Sequence, residues 1–132
     1  MKVVVIICRI LLGLMFVVFG ANGLHPFMPM PPMDPTSPAG KFMMVMGPAG
    51  WMHVVGALEV IGGLLVLIGG TTPLGLVILG PLLFNILVIH LLLMGGAGIQ
   101  PGAVATVLEL ILIYAYRANF AGILTTKATP TT

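Results

Sequence analysis

Four long apolar runs, broken by only a few polar side chains, restrict what this chain can fold into. The first extends from about Val3 to Ala21 and contains Arg9; the second, from about Trp51 to Ile68, contains Glu59. The third, from about Leu74 to Met94, holds Pro81, Asn85 and His90, and the fourth, from about Ala103 to Tyr116, holds Glu109 and ends at Arg117. A helix that crosses the hydrocarbon core needs about 20 mostly apolar residues, and all four runs qualify as spans. A membrane barrel would need alternating segments of about ten residues. These runs are continuously apolar, so helices are expected.

The polar remainder is too small to cover a water-facing surface. Only 6% of the 132 residues are charged and 59% are hydrophobic, with a mean hydropathy of +1.22. Soluble domains carry about 25% charged residues, so membrane lipid is the expected partner of the outer surface. The net charge of +2 comes from five basic and three acidic residues with no basic cluster, which leaves no nucleic-acid footprint. Cys8 is the only cysteine. It cannot form an intramolecular disulfide, and its apolar surroundings suit an inert thiol.

Turn residues agree with the run boundaries. Gly69-Gly70-Thr71-Thr72-Pro73 separates runs two and three, and Gly95-Gly96-Ala97-Gly98 through Pro101-Gly102 separates three and four. Short connections make neighbouring helices antiparallel. The expected fold is all-α: an integral membrane four-helix bundle, antiparallel, spanning 3–21, 51–68, 74–94 and 103–116. A loop over 22–50 and a short polar tail over 118–132 complete one domain. Lys2 could also open a secretory signal, but Arg9 within the apolar stretch and the lack of a small-residue cleavage site favour a retained helix. Lys2, Arg9, Arg117 and Lys127 fall on one side of such a bundle, while the other side carries only Lys41. The positive-inside tendency therefore places both termini in the cytoplasm. Trp51, Tyr114 and Tyr116 fit interfacial anchors.

The outer loop contains His25-Pro26-Phe27-Met28-Pro29-Met30-Pro31-Pro32-Met33-Asp34-Pro35, and its prolines exclude a regular helix. Beyond Pro38, residues Ala39 to Met46 can form a helix on which Phe42, Met43 and Met46 share a face. The loop is expected to fold over one end of the bundle as a cap, because Phe27 and the methionines would otherwise meet water. Met28, Met30 and Met33, with His25, could offer soft ligands to Cu(I). Packing is the preferred reading, since flexible methionine fills irregular gaps.

Ionisable groups within a span need a partner or a role. Arg9 lies about 9 Å inside the cytoplasmic boundary, Glu109 about 12 Å and Glu59 about 15 Å. Arg9 is therefore expected to pair with one of the glutamates, leaving the other without a basic partner. Helical spacing groups Arg9, Gly13, Phe16 and Gly20; Gly56, Glu59 and Gly63; and Thr106, Glu109, Ile113 and Tyr116 into inward stripes. A buried ion pair that sets register ranks ahead of a proton relay or a polar pocket for a ligand head group. In run three, Pro81 should kink the helix, and Asn85 is expected to bond freed carbonyls or a neighbouring helix. His25, His53 and His90 all fall toward the outer side. They could serve haem, copper or a quinone, but none has the spacing of a strong metal motif, so no metal site is assigned. No nucleophile has an adjacent base. No catalytic residue is assigned, and an enzyme acting on its own is not expected.

Several fragments in order resemble the DoxX family of small bacterial membrane proteins. These are Arg9-Ile-Leu-Leu-Gly13 with Phe19-Gly20, Pro29-Met-Pro-Pro-Met33, Glu59-Val-Ile-Gly-Gly63, Thr72-Pro-Leu-Gly75, Pro81, Asn85-Ile-Leu-Val-Ile-His90 and Tyr114-Ala-Tyr-Arg117. The resemblance implies a four-helix bundle in the bacterial cytoplasmic membrane. It also implies an accessory or anchor subunit of a membrane redox complex, linked to quinone and associated with larger subunits or further copies of itself. The alternative is a binding module that holds a lipid, quinone or other hydrophobe inside the bundle. Arg9, Glu59, Asn85 and His90 would line its pocket. Quinone or haem are the candidate cofactors, with copper behind them.

Overall fold

The computed structural model describes residues 1–131; Thr132, the end of the expected polar tail, lies outside them. The order of elements is α1 (Lys2–Leu24), α2 (Pro38–Met46), α3 (Trp51–Leu67), α4 (Thr72–Val88), a π-helical turn (Ile89–Leu93), α5 (Gln100–Ala115) and the short α6 (Arg117–Phe120). No strand occurs among the described residues.

Two helical stretches are long and apolar enough to cross a membrane by themselves: Lys2–Leu24, and Thr72–Leu93 including the π-turn. The other two expected spans are shorter. Helix α3 has 17 residues and α5 has 16, about 24–26 Å at 1.5 Å per residue. Both end where glycine or proline interrupts them. Gly50 and Gly69 flank α3 with φ of 82° and 78°, values that residues with a Cβ rarely adopt. Pro101 stands in the first turn of α5, where its missing N–H costs no helical bond. Helix α4 likewise starts on Thr72-Pro73, two residues earlier than the apolar run suggested.

Backbone contact between glycines joins α1 to α3. A Cβ on Gly13 would lie 3.0 Å from the Gly63 carbonyl oxygen, and one on Gly20 would lie 2.6 Å from that of Gly56. The α3 partner number falls as the α1 number rises, so the two helices run in opposite directions. Such close approach maximises dispersion contact where lipid supplies no hydrophobic drive. Gly62 and Gly75 do the same between α3 and α4, against Leu79 and Val66. Helix α5 packs on both α1 and α4. Leu12, Val66, Leu79 and Leu112, one from each helix, are fully buried at the centre, and Cys8 is buried beside them.

The outer faces are apolar. Leu11, Leu64, Phe84 and Leu110, on four different helices, are among many large side chains left exposed. On α5 the buried face is Ala105, Leu108, Glu109 and Leu112. Ile113, expected inside, is exposed, because the inward stripe follows i, i+3, i+4 and i+7 from Ala105.

Helix α2 lies at 87° to α3. Its inward residues Phe42, Met43 and Met46 are half-buried, whereas Met44 and Val45 are exposed. Ser37 caps it: the Ser37 hydroxyl accepts from the Gly40 N–H at 3.0 Å and donates to the Asp34 carbonyl at 2.6 Å. Asp34 in turn accepts from the Thr36 hydroxyl and N–H at 2.7 and 2.8 Å, and these bonds hold its carboxyl below the usual carboxylate range. Replacing an N-cap serine costs about 1 kcal/mol. Ser37→Ala is therefore expected to raise amide exchange across α2 by about fivefold while leaving α1 and α3 unchanged. Equal exchange in α2 would show that packing alone holds it.

Candidate functional site

The strongest chemical feature is a two-lobed cavity between the loop-side helix ends and the segment carrying α2. The lobes measure about 510 and 310 Å³ and share Met30, Met43, Met52, Glu59, Ile86 and His90. The larger runs down between α1 and α5, where Phe16, Phe19 and Ala105 line it. The smaller opens between α3 and α4, against Leu58 and Asn85, with Met33 and Phe42 on the loop side. The walls are mainly apolar with a few convergent polar groups, as in small-molecule sites generally. Six methionines contribute in all, the four loop-side and α3 residues plus Met15 and Met94, and their unbranched thioethers adapt to varied shapes.

Glu59 is 8% exposed and lines both lobes; its carboxyl makes no hydrogen bond among the described residues and, unlike that of Glu109, is not sealed off. Its Cβ lies against Gly20 of α1, so its carboxyl has only the cavity to address. His90 sits within the π-turn, a feature frequent at functional sites. Its Nδ1 is 2.7 Å from the Ile86 carbonyl. A carbonyl only accepts, so Nδ1 carries the hydrogen, and Nε2 of the neutral ring is an acceptor. Asn85 makes no side-chain hydrogen bond among the described residues and lines the smaller lobe. The expectation that it bonds freed carbonyls or a neighbouring helix is therefore corrected. The π-turn that follows α4 accompanies the meeting of Asn85 and His90 in one lobe, although regular helical spacing would part them.

The expected Arg9–glutamate pair does not form. Arg9 donates from Nε to the Val66 carbonyl at 3.2 Å and from Nη2 to the Leu67 carbonyl at 3.0 Å. These are C-terminal carbonyls of α3 that the helix itself leaves open. Depth explains the difference: Glu59 meets α1 at Gly20, eleven residues beyond Arg9, about 16 Å along the axis. Glu109 is also buried, at 3% exposure. Both its oxygens lack a protein partner, and Oε1 lies toward Gly80 of α4. Glu109 is thus separate from the cavity.

The remaining loop candidates divide. Met30 and Met33 line the cavity but, against the expectation of cover, are 62% and 36% exposed, while Met28 is half-buried outside it. His25 and His53 are exposed, and Phe27, expected under cover, is 59% exposed. Among the described residues no three His, Cys, Asp or Glu side chains cluster as metal ligands would. Asn22 is a further residue of this region that the pattern of polar groups within the spans does not single out. Its Oδ1 accepts from the N–H groups of Phe27 and Met28 at 2.9 and 2.8 Å and fixes where the loop leaves α1. An asparagine at a helix end before a proline-rich stretch is the signal that could have revealed it.

An all-helical chain with apolar spans and apolar outer faces is a membrane protein. The family model for DoxX matches residues 4–91, about two thirds of the chain, and the protein belongs to the DoxX family. That match ends at Leu91, so the resemblance noted at Tyr114 to Arg117 lies beyond it. No curated protein and no solved structure matches the chain significantly.

Proposed function

We propose that this chain is a membrane-embedded binding module that holds an elongated or flat hydrophobe, such as a lipid or quinone, in the cavity beneath the loop. The reading takes the chain as four antiparallel spans in a bacterial cytoplasmic membrane, with both termini cytoplasmic and the loop outside. Antiparallel glycine contacts between α1 and α3 support this arrangement. So does the perpendicular α2, which suits an interfacial position with Lys41 in the polar layer. The observation that carries the function is Glu59, a largely buried residue that lines both apolar lobes at their junction. A ligand head group that bonds Glu59 and His90 gains about 1 kcal/mol per hydrogen bond, while the methionine-rich walls take its apolar body.

Native mass spectrometry of gently extracted protein tests this directly. A bound hydrophobe is expected in the wild type, with affinity reduced about tenfold in Glu59→Gln/Asn85→Ala, the effect of about 1.4 kcal/mol. Equal occupancy in the variant would remove the pocket assignment. A second reading, an accessory or anchor subunit of a quinone-linked redox complex, draws support from the family resemblance and from Phe84 and Leu92. These two side chains are 71% and 76% exposed and could pack on another subunit. Larger subunits retained through extraction would favour it.

A further inference from the structure

At the end of the bundle opposite the loop, a second cavity of about 580 Å³ lies between the start of α1 and the end of α5. Three of its lining side chains are cations, Lys2, Arg9 and Arg117, and two are tyrosines, Tyr114 and Tyr116. No acidic residue lines it. The three acidic side chains of the chain, Asp34, Glu59 and Glu109, are placed elsewhere, so among the described residues no acidic side chain neutralises this cleft. From these groups we infer that it is a binding site for the phosphodiester head group of an anionic membrane lipid.

The fold sets two of the cations in place beforehand. Arg9 is held by the Val66 and Leu67 carbonyls, which use two of its five N–H donors and leave its Nη1 donors free. Arg117 donates from Nη1 to the Tyr114 carbonyl at 2.8 Å and stacks over the Tyr114 ring at 4.3 Å. Guanidinium groups fixed in this way match phosphate oxygens with little further ordering. Lys2 is exposed and can close on the head group from the side. The apolar wall selects a lipid over a free anion: Val5 and Ile6 line the cleft, and Ile6 and Ile10 continue as exposed apolar surface along α1. An acyl chain can follow that surface. The inference rests on the four-span reading, which puts this end in the cytoplasmic head-group layer, where basic pockets between helices take anionic lipids.

The test titrates the detergent-solubilised full chain with phosphatidylglycerol and with phosphatidylcholine of identical acyl chains, counting adducts by native mass spectrometry. Wild type is expected to retain phosphatidylglycerol at least tenfold better. A cytoplasmic-side Lys or Arg contributes about 1 kcal/mol toward anionic lipid, so Lys2→Gln/Arg117→Gln should weaken retention about 30-fold. Arg9 stays intact in this variant because it also caps α3. The charge-retaining Lys2→Arg/Arg117→Lys should stay within about threefold of wild type. Equal retention of both lipids, or no loss in the Gln pair, would overturn the inference. Displacement of phosphatidylglycerol by millimolar inorganic phosphate would overturn it in favour of a free-anion site. The Lys2→Gln/Arg117→Gln pair lies outside the loop-side cavity, and cysteine labelling at both bundle ends checks the span arrangement separately, so failure here and failure of the loop-side pocket can be told apart.

Discussion

Gly20→Leu is expected to abolish the folded state, whereas Gly70→Ala should unfold at the wild-type temperature. The first Cβ atom at position 20 would already lie 2.6 Å from the Gly56 carbonyl oxygen and 2.8 Å from the Val60 amide nitrogen. Both are backbone atoms of a packed helix and cannot swing aside. Even Gly20→Ala should cost about 2 kcal/mol, because overpacking outweighs the advantage of about 1 kcal/mol that alanine has in a helix. Leucine adds three further carbons to the same contact and forces α1 off α3. Gly70 has nothing within 4 Å of its would-be Cβ and no positive φ. An exposed substitution of that kind stays within about 0.5 kcal/mol. Thermal unfolding in detergent, followed by circular dichroism, compares the two. Matching midpoints would show that the close α1–α3 contact is absent.

The second large effect belongs to Arg9. Arg9→Met should destabilise the protein by about 3 kcal/mol, since it removes two charge-assisted bonds, each worth about 1.5–3 kcal/mol, and leaves carbonyls partly bare. The Thr72 hydroxyl also donates to the Val66 carbonyl, at 3.1 Å, and so shares an acceptor with Arg9. A double-mutant cycle between Arg9→Met and Thr72→Val is expected to show at least about 1 kcal/mol of coupling, while the cycle with Glu59→Gln should show under about 0.5 kcal/mol. The reverse pattern would restore the ion pair that helix depth alone suggested.

The outcome at Arg9 shows where sequence reasoning runs short. Depth from the end of a run assumes that every helix starts at the same level. Here α3 stops at Leu67, opposite Arg9 rather than near Lys2. A one-turn offset of each helix is enough to exchange a glutamate for a carbonyl as the nearest acceptor. Asn85 and His90 illustrate the same point within one helix. Regular spacing separates them, and the π-turn at Ile89–Leu93, which no local residue pattern announces, accompanies their meeting in one lobe.

By itself the sequence determined that the chain is helical, that its outside is apolar and where its turns fall. Those properties follow from continuous runs of apolar residues and from glycine and proline, and each acts within one or two helical turns. It also singled out Glu59, His90, Met30 and Met33, because polar groups and soft methionines in such runs are few. Only the tertiary structure decided partners: that Gly13 and Gly20 meet Gly63 and Gly56 of the same chain, and that Arg9 caps α3. It also decided that Glu59 faces a cavity while Glu109 faces Gly80. Helix faces can be read from a period of 3.6 residues. The axial offset between two helices depends on side-chain and backbone fit across both surfaces at once, which no single run encodes.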